Sequence, residues 1–292
     1  MFLRDLLHTK ELYNKAWRES GDFIEYTPEE LRQKQLEVLK IFKDIQAVCE
    51  KHNFHLALCG GTALGAVRHK GFIPWDDDMD VNIPRADFEE FKKIFEDELG
   101  DKYILNCPNY SKDPIARFAK ILRKGDFFDG KTCPEIFLDI FILDNVPDSL
   151  FLQKVKGFFC NAIMFIAGCV GQRYEGTSAY PALLRKHPVY KMKNLIGFVF
   201  SFMSRTTWYN IVDKIIRTKK NTGYCAITTG RKHYNGELFA KTDVFPLKKV
   251  PFEDTEGYIF NDIHTYLVQM YSTNYMTLPP EEKRERHYKK AL

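Results

Sequence analysis

Apolar positions along this chain recur first at helical spacing and then at strand spacing. In "TPEELRQKQLEVLKIFKDIQAVCEKH" (27–52), Leu36, Leu39, Phe42 and Ile45 fall on one side of a period of about 3.6 residues. Thr27, Pro28 and Glu30 supply an N-cap, a first helical residue and a capping box, so the stretch predicts an amphipathic helix. "FHLALC" (54–59) predicts a short strand that Gly60 and Gly61 break, followed by a short helix over 63–69. Alternation predicts a strand at 79–83, and "RADFEEFKKIFEDEL" predicts a helix with Phe88, Phe91, Phe95 and Leu99 on one side. Further strands are expected at "KYILNC", around "ARFAKILR" and at "EIFLDIFILD" (135–144). Beyond 151 the pattern changes: 157–170 and 195–203 read as apolar helices or half-helices between basic turns, each too short to span a bilayer. From 224 onward short strands and turns lead to a last helix that stops before Pro279.

These elements predict an α+β fold: a mixed sheet flanked by helices, with a helical basic insertion or second subdomain. Four regions follow: an N-terminal extension (1–26), a catalytic core (27–150), a basic, apolar helical segment (151–220) and a C-terminal part (221–292) that completes the core domain. At 292 residues with 45% hydrophobic content, the chain can bury a substantial core. Seven cysteines are scattered singly, without CxxC or zinc spacing, which predicts reduced core thiols and a cytoplasmic protein. "MFLRDLLHTKEL" has early acidic residues and no apolar core, so no secretory signal is expected.

Charge divides the chain unevenly. Residues 1–150 carry 21 Lys and Arg against 28 Asp and Glu, whereas 151–292 carry 22 against 11. Within 151–220 the count is 12 basic to 2 acidic. A cation suits the acidic half, and an anionic substrate or acidic membrane surface suits the basic one. No nucleic-acid partner is expected, because the basic residues interleave with apolar runs rather than lining a polar, aromatic groove.

The densest chemistry lies in "GFIPWDDDMDVNIP" (71–84), with four aspartates in five positions leading into a strand. Strand alternation puts Asp78, Asp80 and Asn82 on one face and Met79, Val81 and Ile83 on the other. Two carboxylates side by side on a rigid strand repel, so they need a cation or a proton. Mg2+ or Mn2+ fits, since these ions take carboxylate oxygens and keep positions open for phosphate or water. The alternative is a solvated acidic turn.

Asp139 stands within "IFLDIFI", where an unpaired carboxylate would cost several kcal/mol. It is either a third ligand brought from a neighbouring strand or the partner of a buried Lys or Arg. The turn Gly60, Gly61, Thr62 joins a strand to a helix, where backbone amides can approach a phosphate. Arg68 and Lys70 could hold the far phosphate oxygens, or be ordinary surface residues.

The stretch "CGGTALGAVRHKGFIPWDDDMDVNIPRADFEEF" closely resembles the signature of the LicD family of phosphorylcholine transferases, related to fukutin-like proteins within the nucleotidyltransferase-fold superfamily. "EIFLDIFILDNVPD" and "VPFEDTEGYIFNDIHTYLVQMYSTNYMTLPPEEKRERH" resemble its later blocks, so the resemblance covers about 25–145 and 224–287. It implies that Gly60, Gly61 and Thr62 form the phosphate-side turn, that Asp78 and Asp80 are paired metal ligands, and that Asp139 is a third, with Asp76 accessory. Trp75 and Pro74 would shape the loop. Two departures stand out: Tyr271-Ser272 where the family often has Tyr-Gly, and Ile259-Phe260 where a proline often follows "FE".

The resemblance implies metal-dependent transfer of a phospho-alcohol group, most simply phosphocholine from CDP-choline, to a sugar hydroxyl of a cell-surface or lipid-linked glycan such as lipopolysaccharide, teichoic acid or capsule. The implied cofactor is Mg2+ or Mn2+, and the partners are a CDP-alcohol donor and a glycan acceptor. Peripheral contact with the inner face of the cytoplasmic membrane through 151–220 is a further expectation. Two alternatives remain: a nucleotide-sugar glycosyltransferase with an Asp-x-Asp metal site, and a non-catalytic, membrane-associated glycan-assembly protein.

Overall fold

The computed structural model describes residues 16, 19, 23–126, 134–176, 180–281, 284 and 288–290. Most of the N-terminal extension and Cys133 lie outside the described residues. Strand β1 (Phe23–Glu25) precedes helix α1 (Pro28–Lys51), whose capping box between Thr27 and Glu30 forms as expected. Next come β2 (Ala57–Leu58), α2 (Gly60–His69), β3 (Asp80–Pro84), α3 (Arg85–Leu99), β4 (Tyr103–Asn106), β5 (Ala119–Arg123) and β6 (Phe137–Val146). The basic segment folds as α4 (Leu150–Glu175), α5 (Ala182–Lys186), α6 (Pro188–Val199) and α7 (Arg205–Ile216). The chain then continues through β7 (Tyr224–Ile227), α8 (His233–Gly236), β8 (Leu238–Ala240), α9 (Lys241–Val244), β9 (Lys248–Phe252), β10 (Thr255–Ile259), α10 (Ile263–Tyr271) and β11 (Tyr288–Lys290).

A seven-stranded mixed sheet runs β2-β3-β6-β5-β4, with β7 pairing the far half of β6 and β8 pairing β7. Among the described strands only β3 and β6 run parallel, in a register that sets Asp80 opposite Asp139. Strand β6 is the spine. It is ten residues long and meets β3, β5 and β7. On the helical side, Val38, Ile41, Phe42 and Ile45 of α1 and the phenylalanine stripe of α3 join one buried cluster with Val81, Ile83, Leu138 and Ile140 of the sheet. Burying each such side chain is worth roughly 1.5–3 kcal/mol, which fixes the strands that carry the aspartates.

Three boundaries differ from the sequence reading. Gly60 and Gly61 do not precede the second helix; they open it, with Cys59 as N-cap. The last helix ends at Tyr271 rather than near Pro279, and the turns after it border the cavity described below. Ser272, the departure from Tyr-Gly, sits at φ 81, ψ 172, a conformation nearly restricted to glycine. The apolar run expected as a half-helix is the 26-residue α4. By length and composition α4 could cross a membrane, contrary to the expectation that no run is long enough.

The basic segment has its own small core, with Met164, Ala167 and Val170 of α4 against Trp208, Tyr209 and Val212 of α7. Polar links join it to the sheet domain. Arg85 bridges Asp144 of β6 and Asp213 of α7, and Arg205 pairs with Asp113. The six described cysteines are free and buried, as core thiols.

Candidate functional site

The aspartate strand is held from three directions. The Asp80 N–H donates to Thr62 Oγ1 at 2.8 Å, its carbonyl accepts from the Cys59 N–H at 3.0 Å, and β6 binds its other edge. Thr62 is thus buried and occupied with positioning Asp80; it does not line the cavity, which corrects its expected place on the phosphate side. Gly60 has φ 52, open mainly to glycine, and a Cβ there would fall 2.6 Å from Asp80 Oδ2. A Cβ on Gly61 would fall equally close to Asp76 Oδ2. The glycine pair and the acidic run therefore form one device, because the missing side chains make room for the carboxylates. The Gly60 N–H is already donated to Tyr266 Oη at 2.7 Å, so the turn has one fewer amide for a phosphate than expected.

The four consecutive-looking acids separate by role. Asp77 turns away from the cavity and pairs with buried Lys34 of α1 at 2.5 Å, while neighbouring Gln35 donates to the Asp76 carbonyl. Asp76, Asp78, Asp80 and Asp139 all border one cavity of about 900 Å3. Burial, then the charges of Asp76 and Asp80, push the Asp78 carboxyl well above its ordinary range. Burial, then Asp139 and Asp76, do the same to Asp80. Among the described residues, neither Asp78 nor Asp80 has an ion-pair partner.

Asp139 is in the expected place but not in the expected state. Its Oδ1 accepts from Lys120 Nζ at 2.5 Å, and Lys120 lies against the Phe137 ring at 3.8 Å. Of the two readings left open for Asp139, the buried ion pair is the one formed. The carboxylate trio that closes to within 4.8 Å is Asp76, Asp77 and Asp78, not Asp78, Asp80 and Asp139. Unpaired Asp78 and Asp80 with Asp76 alongside nevertheless suit a hard divalent cation, which would relieve the repulsion that raises their carboxyls. Asp139 reaches that set with one oxygen already committed.

Arg68 borders the cavity and spends Nη1 on the Tyr275 carbonyl at 2.9 Å. Lys70 does not border it. It is the left-handed C-cap of α2, with φ 62 and Nζ on the Val67 carbonyl, so its expected substrate role is not supported by its position.

Other groups that no sequence motif marks also border the cavity. Arg117 borders the cavity without a carboxylate partner among the described residues; Nη1 donates to the Met164 carbonyl, and burial lowers its basicity. Its only sequence signal was a basic residue inside a stretch read as a strand. Arg231 and Glu237 come from the loop after β7. Trp75 forms part of the rim, with the Arg284 guanidinium 4.4 Å from its ring centre.

Glu237 is 2% exposed, and burial pushes its carboxyl up to about 7. Because its folded pKa exceeds its unfolded one, folding takes up a proton between pH 4.5 and about 7. The associated stability is complete below the unfolded value and lost as pH rises through that window, by about 3 kcal/mol in total. Thermal melts across this range should show that slope in the native chain and a flatter one in Glu237→Gln; parallel curves would refute the assignment.

Residues 53–149 match the LicD family, described as the LicD/FKTN/FKRP nucleotidyltransferase domain. The chain is 29% identical over 273 residues to the lipopolysaccharide cholinephosphotransferase LicD of Haemophilus influenzae, covering 88% of this chain and 96% of that protein. Two uncharacterized proteins, from Rickettsia typhi and Rickettsia prowazekii, are 41% and 42% identical over 61 residues, which is 21% of this chain and 20% and 23% of theirs. Both carboxylate strands lie within the segment that matches the LicD family, and the likeness to the Haemophilus protein runs through most of both chains.

Proposed function

We propose that this chain transfers a phospho-alcohol group, phosphocholine from CDP-choline in the simplest case, to a sugar hydroxyl of lipopolysaccharide or a related lipid-linked glycan. The observation that carries the reading is one cavity bordered both by unpaired Asp78 and Asp80 and by Arg117 and Arg231. A diphosphate bridged by a divalent cation needs both: carboxylates for the cation and guanidinium groups for the phosphate oxygens. The likeness to the Haemophilus lipopolysaccharide cholinephosphotransferase supports phosphocholine as the group transferred and lipopolysaccharide as the acceptor. So does Trp75, whose ring already holds a guanidinium and could take a quaternary ammonium in the same way.

Asp78 and Asp80, with Asp76, would hold Mg2+ or Mn2+, which supplies charge stabilisation at the diphosphate. In the reaction, the sugar oxygen forms a new bond to the phosphorus that carries choline, and the bond from that phosphorus to the oxygen of CMP breaks. Arg117 orients the phosphates. Glu237, titrating near neutrality in the same cavity, is suited to accept the hydroxyl proton. Asp139, tied to Lys120, keeps Asp80 in register and supplies local charge.

The test is product release by purified protein given a glycan acceptor and a set of donors. CMP should appear from CDP-choline, and Trp75→Leu should raise KM for CDP-choline about tenfold more than for CDP-glycerol. UDP release from a UDP-sugar, or no release from any CDP-alcohol, would overturn the reading.

A further inference from the structure

Helix α4 carries an apolar run of membrane length, and its two faces have different surroundings. Gly157, Cys160, Met164, Ala167 and Gly171 recur at helical spacing and are all buried. Gly157 abuts Asn235, Met164 and Ala167 pack on α7, and Gly171 leaves room for the Tyr209 hydroxyl. At Cys169 the helix meets Gly197 of α6 so closely that a Cβ there would fall 2.4 Å from the Cys169 carbonyl. Held along one face by α6, α7 and Asn235, α4 presents only its other face outward, which suits lying along a membrane surface rather than crossing it.

Its opposite face is exposed. Phe151, Val155, Phe158 and Phe165 form a stripe along α4, and Phe151 and Phe158 are 73% and 67% exposed. A second stripe, Leu195, Phe198, Val199 and Phe202, runs along and just past the end of α6, with Phe202 73% exposed. Phe200, between Val199 and Phe202, turns inward onto the Trp208 ring, and Gly197 meets Cys169, so the two stripes lie on helices packed against each other. A contiguous apolar surface of this kind is unusual on a soluble face.

Its surroundings are cationic. Lys154 sits a turn from Phe151 and Phe158, and Lys191 heads the α6 stripe one turn before Leu195. Lys219 and Lys220 are exposed and follow the Arg217–Thr218 stretch that Lys156 Nζ binds beside α4. The two acids of 151–220 are occupied internally: Asp213 by Arg85 and Arg217, Glu175 by the Tyr180 hydroxyl.

We propose that the outer faces of α4 and α6 form an interfacial docking surface for an anionic phospholipid membrane. The aromatic and aliphatic side chains enter the boundary between headgroups and acyl chains while the lysines meet lipid phosphates. The charge selects this occupant over a second copy of the chain, because self-association would bring rims of the same sign together. The sequence located a membrane contact only within a segment of seventy residues; the packing of α4 decides which face serves and that the helix lies flat. The inference does not rest on the transfer reaction, although α4 also offers its Met164 carbonyl to Arg117 in the cavity.

The test is flotation of the full chain with vesicles of mixed phosphatidylcholine and phosphatidylglycerol, and of phosphatidylcholine alone, at low and high salt. The native chain should float with the anionic vesicles and be released as salt rises. Phe158→Ser with Phe202→Ser should lower partition at least about tenfold. Lys154→Gln with Lys191→Gln should lower it by about tenfold at low salt only. All four side chains are solvent-facing, so thermal unfolding of both variants should match the native chain. No flotation with anionic vesicles, undiminished flotation of the phenylalanine variant, or a stable solution dimer that this variant dissociates would overturn the proposal.

Discussion

Asp80→Asn should lower the transfer rate by about 10^3-fold while leaving the fold intact and, without metal, somewhat more stable. The rate loss follows from removing one of two unpaired carboxylates that border the cavity proposed to take the donor diphosphate. The gain in stability follows from burial and the Asp139 and Asp76 charges, which make an ionised Asp80 costly in the folded chain. Asparagine keeps the shape that fits over Gly60 and leaves the backbone bond to Thr62 untouched. Steady-state kinetics and thermal melts with and without Mg2+ check both halves. The native chain should be stabilised by Mg2+ and the variant should not. Near-native turnover in Asp80→Asn would end the metal reading, whatever the melts show.

Arg85→Leu should cost about 3–5 kcal/mol of stability. The guanidinium binds Asp144 through Nε and Nη2, each at 2.8 Å, and Asp213 through Nη1 at the same distance. Asp144 is 1% exposed and has no route to water once its partner is gone. Arg85→Lys should recover little of the loss, since a single ammonium cannot reproduce the two-pronged contact. Adding Asp144→Asn to Arg85→Leu should recover part of it by removing the stranded charge. Urea unfolding of the three variants measures these differences, and a loss below about 1 kcal/mol for Arg85→Leu would show that the bridge contributes little. Because Arg85 joins α3 and β6 to α7, the loss should reach both the sheet domain and the basic segment.

The sequence carried most of the sheet domain. The capping box of α1 and the Phe88, Phe91, Phe95, Leu99 stripe of α3 are local signals, legible because caps and periodicity act within one or two turns. The strands at Asp80 and Asp139 were equally legible from alternation and apolar runs. The extent of α4 was not: glycines and lysines interrupt its apolar pattern, and Gly157 and Gly171 leave room for Asn235 and Tyr209. Ionic roles were the least legible part. Lys34 reaches Asp77 across 43 positions and Lys120 reaches Asp139 across 19, and nothing local distinguishes either lysine from a surface one. Lys70, a plausible phosphate ligand by position, is a helix cap instead.

By itself, then, the amino-acid order determined where helices and strands form, that four aspartates crowd one loop, and that the second half of the chain is cationic. Tertiary structure alone decided which of those acids stay unpaired, that Asp139 shares its charge with Lys120, that Arg117 and Glu237 face the aspartates, and which side of α4 is left bare. The division has a physical cause. Backbone conformation and amphipathic period are set by neighbours a few residues away, whereas electrostatic pairing and burial depend on distance through space, which is settled only when β3, β6 and the helices around them pack.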